Sequence, residues 1–191
     1  MANNLSVQRG FKTQAEKISE DYRYQMGLTV NDPLDAFSLA EFLSIPIFTV
    51  DDAVDPEFIA LREKLNNTNL FNALWMPNVD GDKLIIHNQN HSLKRQQSNL
   101  MHELAHIIRN HETPTDIAIL CHQYNLHYFN KEHEDEARYL GGCLQIGRQG
   151  LLNSLKQKKS KEEISEQYNA SLEMVNYRVN ATGVMKQINR W

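Results

Sequence analysis

Cysteine is scarce in this chain: Cys121 and Cys143 are the only two in 191 residues. That is too few for a disulfide framework and suits a reducing compartment, where each reads as a small buried hydrophobe. Long apolar runs are also missing. The longest are short pieces such as residues 117–121, far below the roughly 20 residues that cross a bilayer. Residues 1–10 are polar and lack the apolar stretch of a secretory signal, so a cytoplasmic location is expected. Nor does one sign of charge dominate. With 20 Lys and Arg against 24 Asp and Glu the net charge is −4, which gives no global attraction to phosphate backbones or anionic membranes. The one basic run, Lys156, Lys158, Lys159 and Lys161, is followed at once by Glu162, Glu163 and Glu166, and reads as a solvated face. Direct nucleic-acid binding is not expected.

What is present is the balance of a globular protein, 41% apolar and 23% charged, at a length for one domain plus a small appendage. Phe11, Ala15, Ile18, Tyr22 and Met26 recur at helical spacing and predict a first helix, ended by Gly27. Residues 36–43 read as a second helix and residues 45–50 as a short strand. Two further strands, residues 70–76 and 83–87, flank the turn chemistry of Asp80-Gly81 and predict a hairpin. Ser92 is placed to cap a long helix running to about Asn110, with Leu93, Leu100, Leu104 and Ile108 on its buried side. Helices over 132–146, 149–155, 161–168 and 171–181 complete a mostly helical α+β fold with a small three-stranded sheet. The expected division is a domain over 1–155 and a helical appendage over 156–191. No internal repeat or low-complexity tract is visible.

The informative stretch is His102-Glu103-Leu104-Ala105-His106. Two histidines four apart on a helix share a face, with Cβ atoms about 5 to 6 Å apart, and can reach one ion. Zinc suits such a pair, because it takes neutral imidazole and keeps a position open for water in catalytic sites. Glu103 falls beside the ion without ligating it, placed to act as a general base on water. Random placement of the chain's 8 histidines and its glutamates would produce this pattern only about 0.02 times, so composition does not explain it. The site also follows directly on the predicted hairpin, where an edge strand can align a peptide. The expected activity is a zinc metalloendopeptidase.

A third ligand must come from elsewhere, and Glu132, His133, Glu134, Asp135, Glu136 and His111 are the candidates. With Ala137, Leu140 and Leu144 marking the core face, Glu134 and Glu136 flank it at similar angles, so periodicity leaves both open. His111, near the end of its helix, reads as a surface residue before a support for the site. An oxyanion donor is needed as well; His122, Tyr124, His127 and Tyr128 are conceivable, and none is assigned.

These residues resemble the ImmA/IrrE family of metallopeptidases over nearly the whole chain. Residues 98–108, around the HELAH motif, are similar to the family's zinc helix. Glu134-Asp135-Glu136-Ala137-Arg138-Tyr139-Leu140, with Leu144, resembles its second signature, a Glu three before an Ala, as do Arg9-Gly10-Phe11-Lys12-Thr13 and Asp32-Pro33-Leu34-Asp35 elsewhere. The resemblance implies a zincin-like fold, Zn2+ held by His102, His106 and Glu134, and catalysis by Glu103. It also implies an intracellular regulatory peptidase whose protein substrate is a helix-turn-helix repressor, in mobile elements or stress responses. The chain departs from the pattern at Gly141-Gly142 and at residues 144–147, where glycine weakens helix propensity. Its tail resembles a helix-turn-helix segment, but the second helix there offers Arg178 alone as a cation, so a hairpin packed on the catalytic domain is the expected role. Two rivals stand beside the peptidase: a regulatory binding protein with a structural metal site and a DNA- or partner-binding tail, and a metal hydrolase of non-peptide substrates.

Overall fold

The recurrence that begins at Phe11 becomes helix α1 (Phe11–Gln25) in the computed structural model, which describes residues 7–78, 80–111 and 130–188. Its buried residues are Phe11, Ala15, Ser19 and Arg23; Ile18, Tyr22 and Met26 are only partly buried against the same core. Gly27, at φ 73°, takes the left-handed conformation that glycine adopts at little cost past a helix end.

Asp35 caps α2 (Ala36–Phe42) by accepting the Ser38 N–H at 2.9 Å. The strand expected over 45–50 narrows to β1 (Ile47–Thr49), and Thr49 at once opens a short helix, α3 (Val50–Ala53), through a capping box with Asp52. Helix α4 (Ile59–Asn66) follows. The hairpin forms as expected from β2 (Ala73–Pro77) and β3 (Lys83–His87). β3 is central, parallel to β1 and antiparallel to β2, so β2 lies at the sheet's edge.

The long helix α5 (Leu93–Ile108) begins after Ser92, whose side chain makes no capping bond, and Leu93 is 69% exposed, not buried. Leu100, Met101, Leu104 and Ala105 are the buried seam, packed with Ala137, Leu140 and Leu144 of α6 (Lys131–Gln145). The glycine that weakens α6 on paper is what lets the two helices touch. A Cβ on Gly141 would lie 2.9 Å from the Met101 carbonyl oxygen, closer than packed atoms allow. α1 closes this core from the other side with polar groups. Ser19 Oγ donates to the Cys143 carbonyl at 2.6 Å, and Arg23 Nη2 to the Leu144 carbonyl at 2.7 Å, so both satisfy orphan carbonyls at the end of α6.

The chain ends in α7 (Arg148–Lys156), α8 (Lys161–Gln167), α9 (Leu172–Thr182) and α10 (Val184–Ile188). They share a second apolar cluster that includes Ile146, Leu151, Ile164, Tyr168, Val175 and Val184. Arg178, the single cation of α9, is fully buried, donating from Nε to the Ile146 carbonyl at 2.8 Å and pairing through Nη2 with Glu16 of α1 at 2.6 Å. It is therefore spent on joining the tail to α1 and α6. Arg178→Ala, which removes the buried charge paired with Glu16, is expected to destabilise the chain by about 3–5 kcal/mol, checked by urea unfolding. The fold is α+β and mostly helical, and no helix among the described residues is long and apolar enough to cross a membrane.

Candidate metal centre

Helix geometry brings the two α5 histidines to one point: His102 Nε2 and His106 Nε2 stand 3.2 Å apart. The first turn of α6, capped by Asn130, delivers Glu134 to the same place. Its Oε2 lies 3.2 Å from His102 Nε2 and its Oε1 3.5 Å from His106 Nε2. Among the described residues these are the one group of three such side chains whose donor atoms lie together, all within 4.8 Å. Three ligands around a tetrahedral zinc at roughly 2.0–2.1 Å would be about 3.3 Å from each other. The spacings of this donor set, two imidazole nitrogens and a carboxylate, fit that ion. Hydrogen bonding from His102, the largest influence, holds the Glu134 carboxyl well below the usual carboxylate range, so it is ionised and ready to ligate.

Glu103 sits beside this group and not in it. Its Oε2 accepts the backbone N–H of Trp75, on edge strand β2, at 3.1 Å. Burial pushes its carboxyl up to about 7, against opposing pulls from His106 and the Trp75 N–H. A carboxylate poised near neutrality is a competent proton acceptor.

Glu136, left open by periodicity, is not part of the cluster. It is buried one turn's side away, where its Oε2 accepts from Arg109 Nε at 2.9 Å and meets His111 Nε2 at 3.1 Å. His111 is not a surface residue: it is buried, and its Nδ1 lies 3.1 Å from His106 Nδ1. Burial, the largest influence, pushes its imidazole down to about 4, so it is neutral at neutral pH. The signal for this placement is Asn110. At φ 54° it ends the helix in a left-handed turn that asparagine tolerates, and the His111 N–H bonds back to the His106 carbonyl at 3.0 Å. His133 stacks on His111 with ring centroids 4.2 Å apart. Glu132, Asp135 and His133 do not join the donor group, and Asp135 instead pairs with Lys131 at 2.8 Å. His122, Tyr124, His127 and Tyr128 lie outside the described residues, as does Cys121.

The donors open onto a cleft of ≈ 960 Å³, lined by His102, Glu103 and Glu134 on one side and by Ala73 of β2 and Met174 and Tyr177 of α9 on others. The cleft therefore has a sheet edge and the tail helix as walls. Residues 61–180, well over half the chain, match the profile of the IrrE N-terminal-like domain, a peptidase family. No curated protein matches the chain.

Proposed function

The chain belongs to the IrrE N-terminal-like family of peptidases, and from that premise we propose that it is a zinc-dependent endopeptidase that cuts a regulatory protein inside the cell. The observation that carries this reading is the convergence of His102, His106 and Glu134 at one point with Glu103 beside them. His102 and His106 would hold the ion through Nε2, and Glu134 through its carboxylate. Zinc so held supplies Lewis acidity, which acidifies water and polarises a carbonyl.

The chain's own groups do the rest. Glu103, with Oε2 anchored on the Trp75 N–H, takes a proton from the attacking water at Oε1 and passes it to the leaving amine. The same hydrogen bond shows that the edge of β2 away from β3 faces the centre. An extended peptide laid along that edge would bring a carbonyl to the ligands. A helix-turn-helix repressor is the proposed substrate, on the family resemblance of residues 98–108 and 134–144; the buried Arg178 supports a tail that shapes the cleft and does not bind DNA itself.

The test is incubation of the zinc-loaded chain with repressors encoded beside it, followed by mass spectrometry of the products. A single internal cut, lost on chelation and restored by zinc, is expected. Intact repressors under all conditions would count against the substrate, and a cut that survives chelation against the metal.

A further inference from the structure

The second ring nitrogen of His106 faces the interior, and what it meets there carries a consequence for the ligand. His106 Nδ1, His111 Nδ1, His111 Nε2 and Glu136 Oε2 form a continuous chain with links of 3.1 and 3.1 Å. Its far end is fixed by chemistry. Glu136 accepts the Arg109 Nε–H at 2.9 Å, and beside that guanidinium an ionised carboxylate can only accept. His111 Nε2 must therefore carry the proton it donates to Glu136. The 3.1 Å contact between the two Nδ1 atoms needs one proton, and with that of His111 held on Nε2 toward Glu136, His106 Nδ1 is the donor. That leaves the lone pair of His106 on Nε2, the atom that faces His102 and Glu134.

We propose that His111 and Glu136 are positioning residues that lock His106 in its Nδ1–H tautomer and so hold its Nε2 ready for the metal before any ion arrives. The assignment rests on the reading of His106 as a ligand, and it gives the otherwise bare histidine beyond the motif a role. The surroundings suit a rigid device. The side chains of His111 and Glu136 are each 5% exposed, His133 stacks on the His111 ring within 3° of parallel, and Arg109 rests over the Phe11 ring at 5.1 Å. The lock serves the more enclosed of the two histidines, since the His106 side chain is 9% exposed against 31% for His102. Partners of this kind orient ligating histidines and raise their basicity, and losing one costs roughly 10–100-fold in metal affinity.

The test reads the tautomer directly, on the metal-free full chain labelled with 15N-histidine, by long-range 15N–1H correlation near neutral pH. In the wild type His106 should show a protonated Nδ1 and a bare Nε2. In His111→Phe, which removes the acceptor, the Nε2–H form should become populated. His111→Gln, whose amide oxygen can accept from His106, should restore the wild-type pattern. Zinc affinity, measured by competition with a chromophoric chelator, should fall roughly 10–100-fold in His111→Phe and recover in His111→Gln. Glu136→Gln, an isosteric change, should mix the two tautomers and serves if His111→Phe fails to fold. A wild-type His106 protonated on Nε2, or folded variants with wild-type tautomer and zinc affinity within about twofold, would overturn the assignment. Because the tautomer is read without metal, a chain that binds no zinc yet shows the locked His106 would sink the peptidase reading and leave the lock standing.

Discussion

Glu103→Gln is expected to bind zinc as the wild type does while cleaving its substrate about 10²–10⁴-fold more slowly. The substitution keeps the shape of the side chain and an oxygen that can accept the Trp75 N–H, now 3.1 Å from Oε2, so β2 and α5 should stay docked. What it removes is the lone pair that takes up a proton. Burial places that proton's affinity near neutrality, and a bound cation would draw it lower. Side-by-side kcat and zinc titration check the expectation. A variant that cleaves at the wild-type rate would remove Glu103 from the mechanism, and one that loses zinc as well would make it a structural support of the site.

The second large effect separates two glutamates that are two positions apart. Glu134→Ala removes a carboxylate whose oxygens stand 3.2 and 3.5 Å from the two imidazole nitrogens. It is expected to cost more affinity than the roughly 100-fold upper range for a change behind the ligands, leaving the purified chain without zinc. Glu136→Ala strips only the anchor of His111 and should still take up one zinc per chain when the metal is in excess, with affinity lowered within that range. Plasma mass spectrometry of both variants after removal of free metal, paired with the chelator titration, checks this. The reverse order of effects would make Glu136 the ligand.

The parts of the fold that could be seen in the sequence were those set by local chemistry. The HELAH spacing on a helix, the hairpin around Asp80-Gly81 and the paired helices of the tail all express short-range rules of periodicity and turns. What escaped was set by tertiary contact. Ser19 and Arg23 are buried on α1 because they bond to carbonyls of α6, and no apolar pattern marks a polar residue for that use. Leu93 was expected inside and is exposed, because the first turn of α5 extends beyond the seam that α6 covers. Helix α4 buries none of its residues, so its charged sequence carried no stripe to find. Gly141 looked like a weak point in a helix and is a contact surface.

The site divides the same way. His102 and His106, four residues apart, share a face and Glu103 flanks it, which follows from helix pitch alone. Glu134 and Glu136 could not be told apart by angle, since what separates them is which partner each meets across the α5–α6 interface. Glu134 meets the two motif histidines, whereas Glu136 meets Arg109 and His111. His111 is five residues beyond His106 and off the helical period. It returns to the site only because Asn110 turns left-handed.

The claim on which the rest depends is that His102, His106 and Glu134 form one metal centre, and anomalous diffraction at the zinc edge from crystals of the zinc-loaded chain tests it most directly. One strong peak within ligating distance of His102 Nε2, His106 Nε2 and a Glu134 oxygen, with Glu103 outside the ligand set, is the expected result. No peak there, or the zinc bound elsewhere with these three side chains apart, would contradict it.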